Sequence, residues 1–255
     1  MYTGGQTGRK IGHDDNVRYE SNRSQILLGG AVSVVVAAVI VVAYLIGMRT
    51  DGGQRPHHVN LANVHTILFF GDSWTRGASA SRDTNGFAYL SGRTLGVEFK
   101  VAGFGSVGYA NPGASKEGNY EWRFENQWLP KNKFRPDLVV IQGSVNDAGY
   151  APPIVRKSAE NYIDKLRLKY PHTQIAVLGP APMISNYFSK LEPVDSALFS
   201  ASATKRVQYI SPLSERWFTP SNLASYMTSS QNSPHPNDAG HALIAERLVS
   251  ALRSK

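Results

Sequence analysis

The sequence predicts an α/β fold, a parallel sheet covered by helices on both faces, and three observations carry that prediction. Three short runs, Ile67–Phe70, Leu138–Ile141 and Ile175–Leu178, are wholly apolar and rich in residues that favour strands, as strands buried on both faces must be. Each run stops at glycine or polar residues. Between them lie stretches with helical apolar spacing, so consecutive strands are joined by crossovers and run parallel.

Composition bounds what such a chain can do. At 255 residues there is room for one sizeable domain and extras, and 42% hydrophobic content excludes wholesale disorder. The net charge of +8 is scattered, with no run of five basic residues, and reads as a solvated basic surface and not as a nucleic-acid site. The absence of cysteine excludes disulfides, thiolate metal sites and thiol catalysis. No H-E-x-x-H or comparable ligand spacing supports a metal, and no cofactor is implied.

Residues 1–25 are rich in Gly, Asn, Ser, Arg and Asp and form a tail without a core. Residues 26–47 carry no charge and are dominated by Val, Ala, Leu and Ile. As a helix this segment is about 33 Å long, close to the hydrocarbon thickness of a bilayer, and it is expected to span a membrane. Arg9, Lys10, Arg18 and Arg23 precede it, against Arg49 and Arg55 shortly after, which places the tail in the cytoplasm and the bulk of the chain outside. A cleaved signal peptide is the competing reading. Its apolar core is normally shorter and ends in a small-x-small exit, whereas this one ends in Tyr44-Leu45-Ile46-Gly47-Met48. Of the 27 basic and 19 acidic residues, 23 and 16 follow Gly47, so the exported part is also basic.

Residues 48–63 contain Asp51-Gly52-Gly53-Gln54-Arg55-Pro56 and read as a linker in which His57 and His58 are simply exposed. The domain is expected over 64–255. Its first strand stops at Gly71-Asp72-Ser73. A helix follows over Gly86–Leu95, stopped by Gly96, and then a strand over Val97–Ala102. Gly103-Phe104-Gly105-Ser106-Val107-Gly108 contains G-x-G-x-x-G literally, but Asn111-Pro112-Gly113 prevents the helix a dinucleotide needs. Residues 110–135 read as a long loop with local helix, whose Trp122 and Trp128 pack on the core or wall a pocket. After the strand of 136–143 come Ser144-Val145-Asn146-Asp147 and a helix over Pro152–Tyr170, with Ile154, Val155, Ile163, Leu166 and Leu168 as its apolar positions. The strand of 174–179 is followed by a weak helix over Ser189–Lys205 and a short strand over Val207–Ile210. A helix over Asn237–Leu252, with Ala239, Ala242, Leu243, Leu248 and Leu252 apolar, closes the chain.

Four polar blocks then stand at strand ends in a fixed order: Gly71-Asp72-Ser73, a glycine-bearing turn at 103–108, Ser144-Val145-Asn146-Asp147, and Ser233-Pro234-His235-Pro236-Asn237. Over residues 64–255 this order and spacing resemble the SGNH (GDSL-type) hydrolases. The resemblance implies a three-layer α/β/α, flavodoxin-like domain with a five-stranded parallel sheet, and an esterase or lipase activity that needs no cofactor.

By the same resemblance Ser73 is the nucleophile and its N–H faces the oxyanion. His235 is the general base, Asn146 donates a side-chain N–H to the oxyanion, and Gly105, or Ser106 in a slightly different alignment, contributes a backbone N–H. Asp72 and Asp147 are expected to fix loops, and Asp238 to open the last helix beside Asn237. The chemistry is consistent in kind, since a serine hydroxyl needs a base within roughly 3 Å and preorganised donors for the developing negative charge. Two departures stand out. Ser144 takes the place of a glycine, with Gly143 adjacent. The acid three residues before the histidine is replaced by Asn232, which can orient an imidazole but cannot offset its charge.

The expected function is therefore a membrane-anchored, extracytoplasmic serine ester hydrolase acting on acyl or acetyl esters of envelope glycans or lipids. An acyltransferase with the same acyl-enzyme is the nearest alternative. A non-catalytic binding or scaffolding module, suggested by Asn232, is another. The sequence does not decide oligomeric state.

Overall fold

The computed structural model describes residues 57–229 and 234–254. The tail of 1–25, the span of 26–47 and most of the expected linker lie outside them, and among the described residues no helix is long and apolar enough to cross a membrane.

Five parallel strands form one sheet: β1 (Thr66–Gly71), β2 (Glu98–Gly103), β3 (Leu138–Gln142), β4 (Gln174–Leu178) and β5 (Gln208–Ile210), in the spatial order β2-β1-β3-β4-β5. The helices are α1 (Ser73–Arg76), α2 (Phe87–Leu95), α3 (Tyr120–Arg123), α4 (Pro152–Lys169), α5 (Phe188–Lys205), α6 (Leu223–Tyr226) and α7 (Asp238–Arg253). Because side chains alternate along a strand, each apolar run serves two cores. Leu68, Phe70, Val139 and Ile141 face α4 and α5, while Ile67, Phe69, Leu138 and Val140 face α2 and α7. This is the three-layer arrangement expected, and it puts the carboxyl ends of β1, β2 and β3 side by side.

Several positions differ from the sequence reading. On α4, Ile154 and Leu168 are exposed, and the buried face runs through Val155, Ala159, Tyr162, Ile163 and Leu166, because Ala159 and the large ring of Tyr162 continue the stripe that residue type alone had placed elsewhere. On α7, Ala239 and Ala242 are exposed and His241, Ile244, Ala245, Leu248, Val249 and Leu252 are buried. The loop over 110–135 holds α3, one π-helical turn at Phe124–Trp128 and one 3-10 turn at Leu129–Lys131. Phe124 and Trp128 are core residues, whereas Trp122 is 37% exposed under the Arg123 guanidinium.

The folded unit also reaches further back than Val64. Val59 is buried, and its N–H donates to Gln208 Oε1 at 2.9 Å; Asn60 N–H donates to Gln174 Oε1 at 2.7 Å. The last part of the expected linker is thus fastened at the amino ends of β4 and β5. Beside it, the N–H groups of His65 and Thr66 both donate to Asp137 Oδ2 at 2.9 Å and fix where β1 begins.

Candidate active site

At the carboxyl end of β1 the chain turns through Asp72, whose carboxylate caps α1 by accepting the Trp74 N–H at 2.8 Å. The turn sets Ser73 at the mouth of the sheet. His235 reaches it from the other end of the chain. Residues 235–237 run against 226–228: Thr228 N–H donates to His235 O at 2.8 Å, His235 N–H to Thr228 Oγ1 at 3.2 Å, and Asn237 N–H to Tyr226 O at 2.9 Å. Asn237 then caps α7 by accepting the Gly240 N–H at 3.0 Å. With its backbone held this way, His235 places Nε2 2.8 Å from Ser73 Oγ. That is hydrogen-bond reach for a base acting on a serine, across 162 residues of sequence.

The pair opens into a cavity of about 560 Å³ that Gly105 and Ser106 also line, with Arg76, Ala78, Ser79 and Asp83 completing the wall. The loop of 104–106 is tied to β1 by Phe104 N–H donating to Gly71 O at 2.9 Å. Among the described residues, the N–H groups of Ser73, Gly105 and Ser106 donate to no protein acceptor. The wall residues Arg76, Ala78, Ser79 and Asp83 were not singled out from sequence. Arg76 could have been, since a residue three after Ser73 on one helical turn shares its face.

Beneath this layer sits a buried polar network. Asp147 accepts three backbone N–H groups, from Tyr109 at 2.8 Å, Ala110 at 3.0 Å and Asn111 at 2.9 Å, and so pins the loop after β2 to the turn after β3. Gly108 is required for this approach, because a Cβ there would lie 2.5 Å from Asp147 Oδ1. Its role in the G-x-G-x-x-G run is therefore packing, and no helix opens after it. Burial raises the Asp147 carboxyl, opposed by its three N–H donors.

Asp72 is also fully buried, and burial pushes its carboxyl up to about 7 against the Trp74 N–H and the Gln142 amide. The Gln142 amide satisfies its surroundings with its nitrogen toward Asp72 Oδ1 at 2.9 Å and Thr75 Oγ1 at 2.8 Å. As the sequence led one to expect, both aspartates hold loops and neither lines the cavity.

Asn146 is placed differently from the simple expectation. Its Nδ2 donates to Val107 O at 2.9 Å and stands 3.4 Å from Asp72 Oδ2, so both amide hydrogens have acceptors within the protein, one of them at long range. Ser144 is buried in the turn that Gly143 enters with φ of +140°, and Gly143 N–H donates to Leu178 O at 3.0 Å. Asn232 lies outside the described residues. Among those that are described, no group of His, Asp and Glu is arranged to hold a metal ion.

A sequence model of the GDSL-like lipase/acylhydrolase family matches residues 69–243, which contain both Ser73 and His235. The chain belongs to this family. This GDSL hydrolase is 25% identical over 199 residues to a GDSL lipase of Mycobacterium tuberculosis, covering 73% of the present chain and 80% of that relative. Among solved structures it resembles a family two carbohydrate esterase from Clostridium thermocellum with a TM-score of 0.58 and 20% identity, over 75% of this chain and 64% of that one. It also resembles a protein assigned to the G-D-S-L lipolytic family from Desulfitobacterium hafniense, with a TM-score of 0.58 and 16% identity, over 74% of this chain and 99% of that one. A third is a two-domain esterase active on acetylated mannans, with a TM-score of 0.57 and 21% identity, over 73% of this chain and 48% of that one. At these identities the solved structures speak for the fold of the GDSL hydrolase, and the family match for its class as an esterase or lipase.

Proposed function

We propose that the protein is a serine ester hydrolase that removes short acyl groups, acetyl foremost, from a polar, hydroxyl-bearing alcohol such as an envelope glycan. The observation that carries this is the cavity itself: Ser73 Oγ and His235 Nε2 meet at its wall, and no apolar side chain larger than alanine lines it among the described residues. A long acyl chain gains about 0.8 kcal/mol for each CH₂ it buries against apolar surface, and this lining offers no such surface. Arg76, Ser79, Asp83 and Ser106 offer charges and hydroxyls instead, which suit the hydrogen-bonding groups of a sugar. The resembling esterases, one solved in complex with cellohexaose and one active on acetylated mannans, lend this reading support.

In the proposed mechanism Ser73 Oγ attacks the ester carbonyl carbon as His235 Nε2 takes its proton. The tetrahedral oxyanion is met by the N–H groups of Ser73 and Gly105, and by Asn146 Nδ2 if its long contact to Asp72 gives way. Collapse breaks the bond to the alcohol, which leaves with the proton from His235. Water then repeats the sequence, with His235 as base, and frees the acid and Ser73.

A p-nitrophenyl ester series tests the acyl preference. The expected result is kcat/KM at least about tenfold higher for acetyl than for octanoyl, because the six extra CH₂ groups displace water from charged and hydroxyl groups, whereas a lining that buried them would favour octanoyl by about 5 kcal/mol, roughly three thousandfold. Equal or greater turnover of the octanoyl ester would sink the short-acyl reading.

We further propose that residues 26–47 anchor the chain and that the hydrolase domain lies outside the cytoplasm, which the uncharged span and the basic residues before it support. Protease added to intact spheroplasts is expected to remove the C-terminal domain. Full protection, or release of a protein lacking residues 1–47, contradicts the proposal.

A further inference from the structure

His241 lies six residues beyond His235, on α7, and is completely buried. Its two ring nitrogens have partners of opposite kind. Nδ1 lies 3.2 Å from the Phe87 backbone N, which can only donate, and Nε2 lies 3.2 Å from Ala78 O, which can only accept. The network therefore assigns the neutral ring with its proton on Nε2. The ring also stacks on Phe87, with centroids 6.3 Å apart and planes at 18°.

Ala78 is one of the residues that wall the Ser73 cavity. Its N–H donates to Ser73 O at 2.9 Å, so the Ala78 unit is joined to the nucleophile's own backbone on one side and to His241 on the other. The same wall is fastened to α7 a second time, where Ser81 N–H and Oγ–H donate to the Asp238 carboxylate at 2.7 and 2.6 Å. It starts at Gly77, whose φ of +91° lets the chain leave α1 sharply.

We propose that His241 is a positioning residue for the ester-hydrolase site, whose neutral ring ties the Ala78–Ser79 wall to α7 and to Phe87, and that protonation of the ring breaks its bond to Phe87 and loosens the wall. A proton on Nδ1 would face the Phe87 N–H, donor against donor, and the bond that braces the ring would be lost. The Ala78 carbonyl that accepts from Nε2 favours the proton, as does Asp238 on the ring's own helix, while His235 on the loop before it disfavours it. The α2 and 77–86 segments meet it with Phe87 and backbone. Burial is the largest influence and keeps the ring neutral, so folding favours the deprotonated form. With the folded value below the unfolded one, the unfolded chain binds the extra proton first as pH falls. The strap's contribution is complete above the ordinary histidine range and is lost as pH falls below that range through the lower folded value.

The inference rests on Ser73 being the reactive serine, and the test separates the two. His241→Gln can keep both bonds, its carbonyl accepting from Phe87 and its amide donating to Ala78, yet it does not titrate. His241→Phe keeps the stacking and loses both bonds. KM and kcat for p-nitrophenyl acetate are measured on the full chain from pH 8 to pH 5. Expected is a parent KM that rises severalfold toward pH 5, a Gln variant whose KM stays nearly level, and a Phe variant whose KM is raised about tenfold at every pH. The readout is KM, because kcat also reports on the catalytic base.

A parent KM that is level with pH, or equal pH dependence in parent and Gln variant, overturns the strap while leaving the hydrolase reading intact. Should the Phe variant not fold, the parent and Gln profiles decide the question. Imidazole ¹⁵N NMR reads the tautomer without any turnover: the Nε2–H form is expected, and an Nδ1–H form overturns the proposal even if no ester is hydrolysed.

Discussion

Ser73→Ala is expected to lower kcat for p-nitrophenyl acetate by about 10⁴-fold or more and to abolish labelling by a fluorophosphonate probe. The hydroxyl removed is the one 2.8 Å from His235 Nε2, and nothing else in the cavity wall combines a hydroxyl with a base at that distance among the described residues. His235→Ala should cost a similar factor, and the double variant no more than either, because a nucleophile and its base act as one unit. The fold should survive, since the change removes one cavity-facing hydroxyl and a hydrogen bond of about 1 kcal/mol. Thermal melting alongside the kinetics checks this. Turnover by Ser73→Ala within tenfold of the parent would show that the nucleophile is elsewhere.

Asn232→Asp is expected to increase kcat/KM by about tenfold or more, in the direction opposite to the roughly 10⁴-fold loss an Asp-to-Asn change causes in a serine protease triad. The position is three residues before His235, where the related hydrolases are expected to carry the acid. If residue 232 faces the ring, a carboxylate there offsets the imidazolium formed during attack, whereas an amide only orients it. The same anion favours protonated His235. Since the neutral ring is the base, activity of the variant should fall away at a higher pH on acidification than that of the parent. A pH–rate profile in which the acidic limb does not move, with no gain in rate, means that position 232 does not act on His235 and that another group orients it.

The strands were legible because burial on both faces leaves an unbroken apolar run: Ile67–Phe70 and Leu138–Ile141 admit no polar residue between two cores. The meeting of Ser73 and His235 was legible only through the order of polar blocks at strand ends, since no local property of residue 235 distinguishes it from an ordinary loop histidine. What composition hides is direction. Ala239 and Ala242 share an apolar type with Leu248, yet they face outward, and the buried stripe includes a histidine that residue type counts as polar. Asp147 was expected to fix a loop, but the three N–H partners that show which one come from some 36 to 38 residues earlier, which no spacing within the block can announce. The cavity wall at Ala78 and Ser79 was missed for the same reason, because small residues carry no sign of what they border.

The polypeptide enters the domain at one edge of the sheet, and Ser73 and His235 meet at the other. Val59 and Asn60 are fastened at the amino ends of β5 and β4, and β1 carries the chain about 20 Å to Ser73 at the opposite edge. Residue 57 therefore joins the domain on the side of the sheet away from Ser73. Coupling the protein to a bead through that end should preserve its turnover of soluble esters, while coupling through lysines, which are spread over the surface, would block a share of the molecules at random.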